Sequence, residues 1–149
     1  MKIIFFTIML ALVGLSNFSS AQTIASGEEG SHAICSDSIV FSWGQGGYGQ
    51  FGDGGTHSQS TTPIQSLLTG ITAIAAGAQH CLFLKSDGNV WTAGGNGSGQ
   101  LGNGTITSTS TPVTPTGIAD AFAIGTGYMF SFFMKNDSTI WACGLNSYG

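Results

Sequence analysis

The chain has no arginine and only three lysines, Lys2, Lys85 and Lys135, against seven acidic side chains. A nucleic-acid binder needs a basic face that neutralises phosphates and releases counterions. These residues cannot build one, so nucleic acid is excluded as a partner. Cysteine is equally scarce: Cys35, Cys81 and Cys143 form an odd set with none of the close pairs that metal sites and redox motifs use. Each sits in or beside an apolar run, which points to thiols packed as small hydrophobes. An exported chain keeps one disulfide open, with the pair unspecified. Proline is confined to Pro63, Pro112 and Pro115. Beyond residue 21 no stretch carries sustained helical periodicity with caps, which excludes a helical domain.

One long hydrophobic run exists, and it lies at the start. Lys2 precedes Ile3 to Leu15, whose only polar side chain is Thr7, and Ser19 and Ala21 fit small-residue cleavage subsites before Gln22. This reads as a secretory signal peptide over 1–21. A membrane span needs about 20 apolar residues, so no stable span is expected after cleavage. No cysteine stands near that point to take a lipid anchor. The remaining chain, 22–149, carries two lysines against seven acids and is expected outside the cell.

What the chain does have is glycine, 24 residues of it, spaced in a pattern. The landmarks Gly77, Asp87, Val90, Gly94, Gly99, Gln100 and Gly102 recur fifty residues earlier as Gly27, Asp37, Val40, Gly44, Gly49, Gln50 and Gly52. Fifty residues later stand Gly127, Lys135, Asp137, Ile140, Trp141, Gly144 and Gly149. Units near 26–76, 77–126 and 127–149, the last truncated, therefore repeat one design, and a period of this length signals a solenoid, propeller or array. Within the central unit, Ile71 to Ala76, His80 to Lys85 and Val90 to Ala93 read as strands, with a turn at Ser86-Asp87-Gly88-Asn89. Asp-Gly there predicts positive φ at the central turn residues. Thr111-Pro112-Val113-Thr114 suits a short outer fourth strand, where proline is tolerated.

The second strand is apolar on both faces, Leu82 and Leu84 one way and Cys81 and Phe83 the other, as in a sheet sandwiched between neighbours. Ala75, Ala76 and Gly77 are small enough to pack near a propeller axis. The expected fold is all-β: an incomplete β-propeller of about two and a half four-stranded blades. A closed propeller has at least four blades. Further repeats of the same chain are then needed for closure, and a chain stopping in mid-motif at Asn146-Ser147-Tyr148-Gly149 is expected not to be a complete folding unit.

At Ala75-Ala76-Gly77-Ala78-Gln79-His80, Val90-Trp91-Thr92-Ala93-Gly94 and Gly99-Gln100-Leu101-Gly102-Asn103-Gly104-Thr105 the chain resembles the regulator of chromosome condensation family, the RCC1-like β-propellers. The first unit carries the corresponding Phe41-Ser42-Trp43-Gly44 and Gly49-Gln50-Phe51-Gly52-Asp53-Gly54. The third places Phe130 where His80 would fall. The resemblance implies that His32 and His80 pack blades. The family's founding activity is guanine-nucleotide exchange on a small nuclear GTPase, helped by a basic arm, and this chain lacks that arm. Secreted relatives of this type resemble protein-binding discs, including inhibitors that cap an enzyme.

Chemical motifs fare poorly. Gly44-Gln45-Gly46-Gly47-Tyr48-Gly49 satisfies the dinucleotide-binding glycine spacing, but the residues after it cannot start the helix that holds a pyrophosphate. Asn96-Gly97-Ser98, Asn103-Gly104-Thr105 and Asn136-Asp137-Ser138 match glycosylation acceptors in turn-rich loops, where chance matches are frequent. No loop offers the oxygen set that calcium demands. Glu28 and Glu29 are adjacent acids without a relay partner, and His57 lies in a polar loop with no partner in sight. No catalytic residue, metal or cofactor is expected.

What remains is a row of homologous loops: Gln45, Tyr48 and Gln50, then Asn96, Ser98 and Gln100, then Asn146, Ser147 and Tyr148. Tyrosine among glycine and short polar residues suits an adaptable recognition surface. The leading expectation is a secreted, non-enzymatic module that presents these loops to an extracellular protein or glycan. One alternative is part of a polysaccharide-active propeller enzyme whose acids lie beyond residue 149. The other, carried by the resemblance alone, is a nucleotide-exchange regulator.

Overall fold

The computed structural model describes residues 23–28, 30–35 and 37–147. The signal peptide expected over 1–21 and the loop residue Tyr148 lie outside the described residues. Among the described residues eleven strands follow one another: β1 (Thr23–Ser26), β2 (Gly30–Ile34), β3 (Val40–Gly46), β4 (His57–Gln65), β5 (Ile71–Ala76), β6 (His80–Lys85), β7 (Val90–Gly94), β8 (Thr109–Val113), β9 (Ala121–Thr126), β10 (Phe130–Lys135) and β11 (Ile140–Gly144). They form three antiparallel sheets in the orders β1-β2-β3-β4, β5-β6-β7-β8 and β9-β10-β11. These are three blades of an all-β, unclosed propeller. The third has three strands among the described residues, and the outer strand of the second spans Thr109–Val113.

Each hairpin repeats one register. Gly30 pairs with Gly44, His80 with Gly94 and Phe130 with Gly144. The turns linking second to third strands are wider than Asp-Gly alone suggests. Gly88 N–H donates to Lys85 O at 3.1 Å and Lys85 N–H to Asn89 O at 2.9 Å. Among the described residues of these turns, only the one after the aspartate is left-handed: φ is 57° at Ser38, 79° at Gly88 and 67° at Ser138. Asp87 accepts the Asn89 N–H at 3.0 Å, and Asp137 the Thr139 N–H at the same distance, so the repeated aspartate holds the turn. A two-residue type I′ loop requires left-handed residues at both centres, whereas this longer loop has one.

The blades stack through apolar faces. Ile34 and Val40 of the first pack with Ile71, Ile74, Cys81 and Phe83 of the second. Leu82, Leu84 and Val90 of the second pack with Ala121, Ile124 and Phe133 of the third. Strand β6 is thus buried on both faces, which explains its unbroken apolar run. The innermost turns close up through glycine: a Cβ on Gly27 would lie 2.4 Å from Gly77 O, and one on Gly77 would lie 2.8 Å from Gly127 O. The third blade turns its equivalent apolar face outward. Phe132, Met134 and Ile140 are 42%, 39% and 65% exposed, whereas Leu82, Leu84 and Val90 are 0%, 5% and 1%.

Alternation of strand direction puts the first-to-second-strand turns and the long loops after the third strands on one side of the molecule. The Asp-containing turns lie on the other side.

Candidate interaction face on the loop side

The long loop of the second blade is organised from within. Asn96 is fully buried; its Oδ1 accepts the Leu101 N–H at 2.9 Å, and its Nδ2 lies 3.0–3.2 Å from Asn103 Oδ1, Thr105 O and Thr107 O. Gln100 is also buried, and its Oε1 accepts the Ser98 N–H at 2.9 Å. The first blade repeats the device: Gln50 accepts the Tyr48 N–H at 3.1 Å and donates from Nε2 to Gln45 O at 2.9 Å. Gln50 and Asn96 therefore spend their polar groups inside the loops, and Gln100 does so through Oε1 while its buried Nε2 has no hydrogen-bond partner. Gln45 and Tyr48 are exposed and Ser98 is half-buried, while Asn146 and Ser147 are exposed in the third blade.

Two more side chains reach this surface. Tyr128, in the turn between β9 and β10, is 58% exposed, and Leu145 is 46% exposed. Tyr128 O accepts the Ala78 N–H at 3.0 Å, which ties the turns of neighbouring blades together. In the sequence Tyr128 is inconspicuous because its counterparts are Glu28 and Ala78, so the repeat draws no attention to it. Its place beside the landmark Gly127 was the available signal.

The histidines divide by burial. His32 Nδ1 lies 2.8 Å from Ser42 Oγ inside the first blade. His80 Nε2 lies 3.0 Å from Ser131 Oγ, across the joint between second and third blades. Ser131 gives its own proton to Gln100 O at 2.7 Å, so His80 must donate from Nε2 and keep Nδ1 bare. Nδ1 has no hydrogen-bond partner, and a Cβ on Gly77 would lie 2.6 Å from it. Burial lowers both imidazoles to a pKa of about 4. These are packing histidines, and Phe130 takes the place of His80 in the third blade.

His57 does have a partner that the sequence did not show. Its Nε2 is 2.7 Å from Asp53 Oδ2, and its ring stacks on Phe51 with centroids 5.7 Å apart. Asp53 Oδ1 also accepts the Gly55 N–H at 3.3 Å. Asn103 makes the matching bond to the Thr105 N–H at 3.1 Å in the second blade. The pair is therefore a variant of a repeated loop clip. Among the described residues no three His, Cys, Asp or Glu side chains converge to hold a metal ion. All three cysteines are free thiols, and burial raises Cys35 to about 11 and lifts Cys81 and Cys143 as well. Lys85 and Lys135 lie over Trp91 and Trp141, 5.8 and 5.7 Å from the ring centroids.

The sequence profile described as the regulator of chromosome condensation (RCC1) repeat matches residues 37–84 and 87–134, and a second profile of that repeat matches 71–100. Each of the longer matches begins in the Asp turn of one blade and ends in the next blade, so the sequence repeat bridges blades. No curated protein matches the chain. Among solved structures, yeast RCC1 (Prp20) bound to Kap60 is 23% identical over 83% of this chain and 32% of its own, with a TM-score of 0.75. Human WBSCR16 is 21% identical over 87% of this chain and 34% of its own, with the same TM-score of 0.75. The receptor-kinase CR4 ectodomain of Physcomitrella patens is 18% identical over 88% of this chain and 31% of its own, with a TM-score of 0.59. The chain thus spans about a third of the length of these structures. With blade register, loop architecture and repeat profile in agreement, the chain belongs to the RCC1 repeat family.

Proposed function

We propose that the chain is an exported, non-enzymatic interaction module whose loop side engages a protein or glycan outside the cytoplasm. The observation that carries this reading is the shared position of Tyr48 and Tyr128, 44% and 58% exposed on the same side of the first and third blades. Exposed Gln45 and half-buried Ser98 lie on that side too. Tyrosine supplies contact area at low entropic cost, and short polar neighbours adapt to a partner. The leader-like segment 1–21 supports export. Protein binding has precedent in the fold: yeast Prp20 is seen with Kap60, and its binding to Gsp1p and histones has been characterised. A ring closed by further RCC1 repeats is part of the same reading.

The test is a binding screen of the purified chain against arrayed glycans and extracellular proteins. Hits are expected to vanish with the double substitution Tyr48→Ala and Tyr128→Ala, and to survive Asp87→Ala on the opposite side. Hits that ignore the tyrosines, or hydrolysis of a glycan by the chain itself, would overturn the reading.

A further inference from the structure

The Asp-turn side carries a groove at the joint between the second and third blades. Its volume is about 500 Å³, and Lys85, Ser86, Asp87, Ala121, Phe122 and Asn136 line it. Small-molecule sites run from about 300 to 1,000 Å³. The turn after β6 forms one wall, and the start of β9 with the residue after β10 forms the other. Backbone bonds fix the walls: Ala121 N–H donates to Gly88 O and Asn136 N–H to Asp120 O, each at 3.0 Å.

The joint between the first and second blades keeps the same bond, from Ile71 N–H to Ser38 O at 3.0 Å, but its side chains differ. Fifty-residue spacing places Ile71 where Ala121 stands, Thr72 where Phe122 stands, Cys35 where Lys85 stands and Ser86 where Asn136 stands. Ile71 is fully buried, and Thr72 spends its hydroxyl on Leu84 O at 3.2 Å. At the second joint alanine withdraws that bulk, and Phe122 is left 53% exposed beside it. Blade stacking does not require a phenylalanine there, since threonine serves at the first joint. The charges differ as well. Lys135 pairs with Asp137 at 3.5 Å in the third blade, whereas among the described residues no acid lies within ion-pair distance of Lys85. Its ammonium is held over the Trp91 ring, 5.8 Å from the centroid. Asp87 accepts the Asn89 N–H through Oδ1, and a carboxylate has room for further donors. An ammonium and a carboxylate that do not pair with each other therefore stand on one wall, with a carboxamide and an exposed aromatic ring on the other.

We propose that this groove binds a free α-amino acid with an apolar side chain. Such a ligand carries one charge of each sign, and the groove offers the complement of both. Its carboxylate takes the Lys85 ammonium and an Asn136 amide N–H, its ammonium takes Asp87, and its side chain lies on Phe122 and Ala121. A ligand with a single charge meets a like charge from Lys85 or Asp87, which offsets what the opposite one contributes. An uncharged ligand leaves both groups unmatched. The groove lies on the side opposite Tyr48 and Tyr128 and is independent of the loop-side reading.

A residue-resolved NMR titration of the isotope-labelled chain with L-phenylalanine tests the site. Saturable amide shifts are expected at Lys85, Ala121, Phe122 and Asn136, with a Kd of about 1 mM, ordinary for a ligand of this size. Hydrocinnamate, which lacks the ammonium, and phenethylamine, which lacks the carboxylate, should each bind about tenfold more weakly. Lys85→Met should weaken L-phenylalanine by about tenfold. Phe122→Thr, which copies Thr72, should weaken it by about fivefold. Spectra unchanged away from the groove show that both variants keep the fold. Tyr48→Ala should leave the titration unaltered, which separates this site from the loop side. Shifts that do not saturate or that fall outside the groove, equal binding by the two single-charge analogues, or full binding by both variants would overturn the proposal.

Discussion

Ser38 and Ser138 occupy a backbone position that their own repeat fills once with glycine, Gly88, and both have left-handed φ. A residue with a Cβ is strained there, by about 1–2 kcal/mol. Ser38→Gly and Ser138→Gly are therefore expected to stabilise the chain, by about 0.5–1 kcal/mol each after the added unfolded-state entropy of glycine. Urea denaturation measures the gain, and a loss would contradict the turn geometry. The buried imidazoles make a pH prediction of definite sign. His32 and His80 titrate near 4 when folded, against 6.5 when exposed, so between those values the unfolded chain binds more protons. Their contribution is complete above pH 6.5, falls as pH drops and is lost near pH 4, about 3 kcal/mol for each ring. His80→Phe, which copies Phe130, should flatten the pH dependence of the urea midpoint over this window. An unchanged slope would show that His80 does not set this pH dependence.

At the scale of the strand, position decides cost. Leu82 on β6 and Phe132 on β10 stand fifty residues apart at one place in the blade, yet one is sealed by the next sheet and the other faces solvent. Leu82→Ala is expected to destabilise by about 2–5 kcal/mol, as cavity-forming core substitutions do. Phe132→Ala should cost under about 1 kcal/mol and reduce dye binding to exposed apolar surface. Equal costs would mean that the two faces are equally covered. Much of this arrangement was legible in the sequence. The two-sided apolar run of β6, the Asp turns and the glycine landmarks each answer to a local physical need, so they state strands, turns and blade stacking without reference to distant residues. The loop side was less legible. Gln50, Asn96 and Gln100 looked like displayed polar groups because their partners are backbone groups in a folded-back loop, and no residue pattern announces those bonds. The Asp53–His57 pair was hidden for a related reason: its partners are four residues apart in a loop whose path the sequence leaves open.

Across the whole molecule, burial accumulates from blade to blade. The first and second blades each have a trailing face covered by the next sheet, and among the described residues no sheet covers that of the third. Covering Phe132, Met134 and Ile140 would be worth roughly 1.5–3 kcal/mol for each side chain fully buried, a sizeable part of a domain's 5–15 kcal/mol. The open face therefore sets where the structure is weakest. Local opening should begin at β11 and spread into β10, while β6, buried from both sides, opens only with the whole chain. Strand-resolved amide hydrogen exchange on the monomeric chain tests this most directly. The greatest protection is expected in β6, intermediate protection in β10 and the least in β11, below its counterpart β7. Protection of β10 and β11 equal to that of β6 and β7 would contradict it, because the third blade would then be covered like the other two.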